Sequence, residues 1–181
     1  MSEFRFNVSQ LLQEPTGATR LYTLDDAQLP LDAELTMQPV LGQVRLTRTP
    51  DGVLADAQVR GEVEMECSRC LTQYLQPISF AFSEEFHQTV NVVTGARLTL
   101  PVDHDQDTYL IDETHKLDLA EPMREYALLE LPPAPRCRPD CQGLSITGRN
   151  LNEEADDAPP SEIDARFAVL EQLLQRTDDT Q

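Results

Sequence analysis

Cys67 and Cys70 flank Ser68 and Arg69, and Cys137 and Cys141 flank Arg138, Pro139 and Asp140; these four thiols are the side chains best placed by type and spacing to do chemistry. Two cysteines separated by two residues at a turn, as in the first pair, put both sulfurs on one side of the backbone, and the two pairs together supply the four thiolates of a closed tetrahedral zinc site. An ion shared by Cys67, Cys70, Cys137 and Cys141 would staple together two segments far apart in the chain. Two other outcomes stay open: four small thiols that pack as apolar side chains without a metal, and a thiol pair whose state is regulated.

Other chemistry lacks an anchor. His87, His104 and His115 lie in or beside acidic and loop segments, with no His-x3-His spacing, and are read as surface histidines. No glycine-rich phosphate loop is present, Lys116 is the sole lysine, and the many carboxylates lack a nucleophile or a spacing that singles out a pair. The residues therefore give no basis for an enzyme. Arg136, Arg138 and Arg149 are a local concentration of positive charge around the second cysteine pair, the place to look for any direct RNA contact.

The elements that must hold the thiols can be read from hydrophobic period. Ala55, Ala57, Val59, Gly61, Val63, Met65 and Cys67 alternate with Asp56, Gln58, Arg60, Glu62, Glu64 and Glu66, a strand with one buried and one wet face. Thr49-Pro50-Asp51-Gly52 is a turn, so 41–47 and 53–65 should pair as a hairpin. Ile78, Phe80 and Phe82 predict a third strand pairing back on the long one, which leaves Cys67 and Cys70 near the connection. Phe4 to Leu12 reads as a short strand and a turn of helix opened by Ser9; 21–24 reads as a strand, 25–32 as loop, and Pro39 as an interruption. Val90 to Val93 and 98–102 are weaker strand candidates, and Tyr109 with Ile111 returns to the sheet.

After Asp118 the period becomes helical, with Leu119, Met123, Tyr126 and Leu129 on one stripe and Pro122 confined to the first turn. Ser161 opens a second amphipathic helix carrying Ile163, Phe167, Leu170, Leu173 and Leu174. The expected fold class is α+β, an antiparallel β-sheet meander with two packed helices. Its expected divisions are a β-rich domain over 1–152, an acidic linker over 153–160, a C-terminal helix over 161–176 and a tail over 177–181.

Charge sets a further bound. Among 181 residues, 32 acidic against 14 basic side chains give a formal charge of −18, which repels a phosphate backbone and attracts a basic partner. No run of eighteen apolar residues occurs, and the opening Met1-Ser-Glu-Phe-Arg-Phe-Asn predicts a cytoplasmic protein.

Cys67-Ser-Arg-Cys70-Leu71, Tyr74, Pro77 and the run from Phe80 to Phe86 resemble the YceD family, named for accumulation of large-subunit ribosomal RNA. The resemblance continues through 109–112, Leu117 to Leu119, 125–133, 141–144 and 150–152. It implies a non-catalytic ribosome-biogenesis factor promoting processing or accumulation of large-subunit (23S) rRNA, with a basic large-subunit ribosomal protein or a pre-large-subunit particle as partner. The alternative is a zinc- or redox-responsive protein-binding module whose effect on the ribosome is indirect. Similar family members often continue after the cysteine matching Cys141 as Gly-Leu-Cys-Pro-x-Cys-Gly. This chain has Gly143-Leu-Ser-Ile-Thr-Gly148, so a four-cysteine site confined to the C-terminal half is excluded by count, and either the remaining four regroup or the site has decayed.

Overall fold

The structure, a computed structural model, describes residues 4–98 and 108–153. Its elements are β1 (Arg5–Asn7), α1 (Ser9–Gln13), β2 (Thr19–Pro30), β3 (Thr36–Arg48), β4 (Gly52–Glu66), β5 (Gln73–Gln88), β6 (Tyr109–Ile111), β7 (Lys116–Asp118) and α2 (Ala120–Glu130). Two compact units divide the chain, Met1–Cys141 and Gln142–Gln181.

β4 and β5 form the spine of the first unit because apolar residues alternate along most of their length, with Gly61 and Glu84 as the exceptions. Their antiparallel register runs from Gly52 opposite His87 to Glu66 opposite Gln73. Val53, Ala55, Ala57, Val59 and Val63 from one strand and Ile78, Phe80, Phe82 and Phe86 from the other are buried on one face. β3 pairs with β4 and β2 with β3, while β6 adds to β5 in parallel, giving a five-stranded sheet of order β2-β3-β4-β5-β6. β1 and β7 make a separate antiparallel pair.

α2 lies on the inner face, with Leu119, Met123 and Ala127 fully buried. Tyr126 stacks on Phe82 at 5.3 Å, and its hydroxyl donates to the Glu84 carboxylate at 2.7 Å. Leu129 is 82% exposed, so Ala127 takes the inward position expected of Leu129.

The expected α+β meander with two packed helices is corrected: the molecule is mostly β, 49% strand and 11% helix, with one helix of seven or more residues among the described residues. The second expected helix, over 161–176, lies outside the described residues, and so does most of the 98–102 strand candidate. The strands are longer than their alternation shows. β2 continues through 25–30, where register shifts at Leu24/Ala27 and Ala27/Leu29 break the period, and Pro30 closes an edge strand that does not need its amide. β3 passes Pro39 through a bulge, since Met37 faces Val63 but Leu41 faces Arg60. That bulge brings the chain so close that a Cβ on Gly61 would overlap the Pro39 carbonyl and reach Met37 Cε at 2.6 Å. Val90 makes only an isolated bridge, to Arg97.

In the second unit, residues 142–153 close as a turn. Leu144 bridges Asn150, the Gln142 amide donates to Asn152 Oδ1 at 2.9 Å, and Asn150 Oδ1 accepts the Asn152 amide at 3.1 Å.

Candidate metal centre

The turn joining β4 to β5 is a tight loop in which the Leu71 amide donates to the Cys67 carbonyl at 2.9 Å and the Cys67 amide to the Thr72 carbonyl at 3.0 Å. Closing it this sharply requires a left-handed residue after the second cysteine, and Leu71 takes φ 58°. Ser68 holds the segment after α2 against this turn: its amide and its hydroxyl both donate to the Pro135 carbonyl, at 2.8 and 2.9 Å. The second cysteine pair is thereby delivered to the first.

All four sulfurs lie within 4.8 Å of one another. Cys67 Sγ is 3.8 Å from Cys141 Sγ, and Cys70 Sγ is 3.6 Å from Cys137 Sγ. These gaps are much longer than a disulfide bond of about 2.05 Å. They match the edge of a tetrahedron around zinc, where bonds of about 2.3 Å put the sulfurs about 3.8 Å apart. Cys67, Cys70 and Cys141 are buried and Cys137 is half-buried, with Tyr74 packed against them.

The electrostatics are those of a thiolate nest. Backbone N–H groups of Cys137, Cys70 and Arg69 aim at the Cys67 sulfur and, against the opposing effect of burial, lower its pKa to about 6. Cys70 is lowered through its contacts with Thr72. Cys137 is pushed up to about 12, by burial and by the neighbouring sulfurs. Thiols packed this closely cannot all ionise unless a cation shares their charge. The donor set, four soft sulfurs within 4.8 Å of one another, fits zinc.

The histidines stay apart from this centre. His87 lies on β5 opposite Gly52, with a buried Nδ1 that has no hydrogen-bond partner among the described residues; His115 sits in the β6–β7 turn at φ 59°; His104 lies outside the described residues. Arg69, Arg136 and Arg138 are exposed around the cysteines, with Arg138 3.5 Å from Asp140, and Arg149 belongs to the second unit. Sequence reading overlooked the anchoring by Ser68 and the strained Leu71. No local pattern marks the first, and the second replaces the glycine that usually announces such a position.

Two features therefore define the class: a long-stranded β-sheet protein with a four-thiol centre at the end of its longest hairpin. The chain belongs to the family described as large ribosomal RNA subunit accumulation protein YceD, whose model matches residues 55–174. It is similar to an uncharacterized protein of Mycobacterium tuberculosis, 31% identical over 138 residues, covering 76% of this chain and 63% of the relative. An uncharacterized protein of Mycobacterium leprae is 27% identical over 137 residues, covering 75% and 59% respectively. The chain thus spans about three-fifths of the length of the curated relatives it matches. No solved structure matches it. Among the described residues no helix is long and apolar enough to cross a membrane.

Proposed function

We propose that this protein is a non-catalytic factor in the cytoplasm that promotes processing and accumulation of large-subunit rRNA by binding a basic large-subunit ribosomal protein or assembly intermediate. The observation that carries the reading is the family match over residues 55–174, whose description names large-subunit rRNA accumulation. The charge of −18 supports a basic partner over extended contact with RNA. In this reading the β-rich domain over 1–152 is followed by an acidic linker and a C-terminal helix.

Zinc, held by Cys67, Cys70, Cys137 and Cys141, is part of the same proposal. Its chemistry there would be structural, crosslinking the β4–β5 turn to the segment after α2. A second reading, a zinc- or redox-responsive binding module, is favoured by one observation, the Cys67 thiol held at about 6. The second reading expects Cys67→Ser or Cys137→Ser to alter partner binding more than folding, whereas depleting the protein and measuring precursor and mature large-subunit rRNA tests the first. The proposal expects precursor to build up and free large subunits to fall, and unchanged profiles under growth-limiting conditions would remove it.

A further inference from the structure

Past Arg60, one end of the outer sheet face carries a row of carboxylates with no basic side chain directly across the strands among the described residues. In the middle of that face Arg45 stands opposite Asp56, and Asp56 also accepts the Ser83 hydroxyl at 2.7 Å, so charge there is locally matched. Toward Cys67, the wet face of β4 presents Glu62, Glu64 and Glu66 in succession. Their partners across β5 are Pro77, Leu75 and Gln73, none of them cationic. A groove of about 1010 Å³ opens at this end, to which Glu34 adds a fourth carboxylate and which no lysine or arginine lines. Its apolar part includes Pro39 and Leu75, and Leu75 is 58% exposed.

An exposed apolar strip bordered by such a row of carboxylates fits side chains that carry both methylenes and a cation. We propose that this end of the sheet face docks an extended lysine- and arginine-rich segment of a partner protein, with cations at every second residue. Alternate residues of a strand are about 6.8 Å apart, so the three glutamates and the cations of an extended segment share one repeat. The methylene stems of the segment lie over Leu75 and Pro39 while their charged ends meet the carboxylates. The same row of glutamates repels an RNA strand. This inference rests on the functional reading above and narrows it to one face and one partner chemistry.

The test uses the full chain and a synthetic peptide of about twelve residues alternating lysine and threonine, long enough to span the groove. A second peptide of the same composition carries its lysines in one block. By fluorescence anisotropy at about 0.1 M salt, the alternating peptide is expected to bind at least about fivefold more tightly than the block peptide. The E62Q/E64Q/E66Q variant should lose about tenfold and L75R a similar amount, whereas D51N/E113Q/E121Q, with the same change in net charge, should lose less than about twofold. Equal losses in the two triple variants, equal binding of both peptides, or tighter binding of an oligouridylate RNA at this face would overturn the proposal. Thermal melts check folding, and L75R decides if the glutamine variant does not fold. In depleted cells, rescue of rRNA accumulation by E62Q/E64Q/E66Q would overturn the docking face and leave the functional reading standing. A depletion with no rRNA effect would remove the functional reading itself.

Discussion

Cys67 Sγ lies 3.8 Å from Cys141 Sγ although 74 residues separate them. This contact joins the tip of the longest hairpin to the chain beyond α2, a connection that the Ser68 bonds to Pro135 and the Cys137 N–H on the Cys67 sulfur also make. A link of this kind restricts the unfolded chain over a long loop, so an ion that completes it should contribute to folding as well as local order.

The first prediction follows directly. Protein purified without chelators should contain about one zinc per chain. Cobalt substitution should give the visible absorption of a tetrahedral thiolate site, and both signals should vanish in Cys67→Ser and in Cys137→Ser. Removing the metal should lower the melting midpoint by about 10 °C, as expected when a few kcal/mol of folding-linked binding is lost from a domain of this size. Elemental analysis finding no zinc would contradict the centre.

Leu71 is exposed and holds φ 58°, where a branched Cβ is disfavoured. Leu71→Val should destabilise by about 1 kcal/mol, while Leu71→Gly should be neutral or slightly stabilising despite the general cost of introducing glycine. Urea denaturation of the two variants is the check, and the opposite order would show that the turn relaxes.

Gly52 starts β4 where the Phe86 backbone passes so closely that a Cβ would overlap its carbonyl oxygen. Gly52→Ala should therefore cost at least about 2 kcal/mol, the scale of overpacking a well-packed site. Gly17→Ala serves as the comparison, since open space surrounds that position and only its φ of 92° is strained. The denaturation midpoint should fall further for Gly52→Ala.

Tyr109 is raised above the usual phenol value of 10.0, first by burial and then by the hydrogen bond it donates to Glu125 at 2.6 Å. The folded state holds this proton more tightly than the unfolded state. Its contribution is therefore complete below pH 10 and is lost as pH rises through the higher folded value. Melting midpoints taken upward from about pH 9 should fall more steeply for the wild type than for Tyr109→Phe. Parallel curves would exclude the linkage.

The sheet was legible where one face is buried and the other wet. From Ala55 to Arg60 and from Ile78 to Phe82, residue parity and burial agree, and the hairpin falls where Pro50-Asp51-Gly52 places it. Ser9 opens α1 and Ala120 opens α2, as the change of period implies. Legibility ends at irregularities: the bulges after Leu24 and Met37 shift the register, so a period-two reading turns part of β2 into loop and breaks β3 at Pro39. The outer face is also less uniformly acidic than its strand pattern implies, because Arg45 and Asp56 are neighbours only across strands. For the centre, the spacing of each cysteine pair was visible, whereas their meeting depends on Ser68 reaching Pro135, a tertiary contact without local signature.

The central claim is that this chain grips a cationic component of the large subunit through charge and shape. The most direct measurement mixes the purified full chain with large-subunit ribosomal proteins freed of RNA, at about 0.1 M and about 1 M salt, and identifies the bound fraction. The account predicts that basic large-subunit proteins are retained at the lower salt and released at the higher, as the reach of the glutamate field contracts from about 10 Å to about 3 Å. Retention only when rRNA is added back, or no retention of any large-subunit protein, would contradict it.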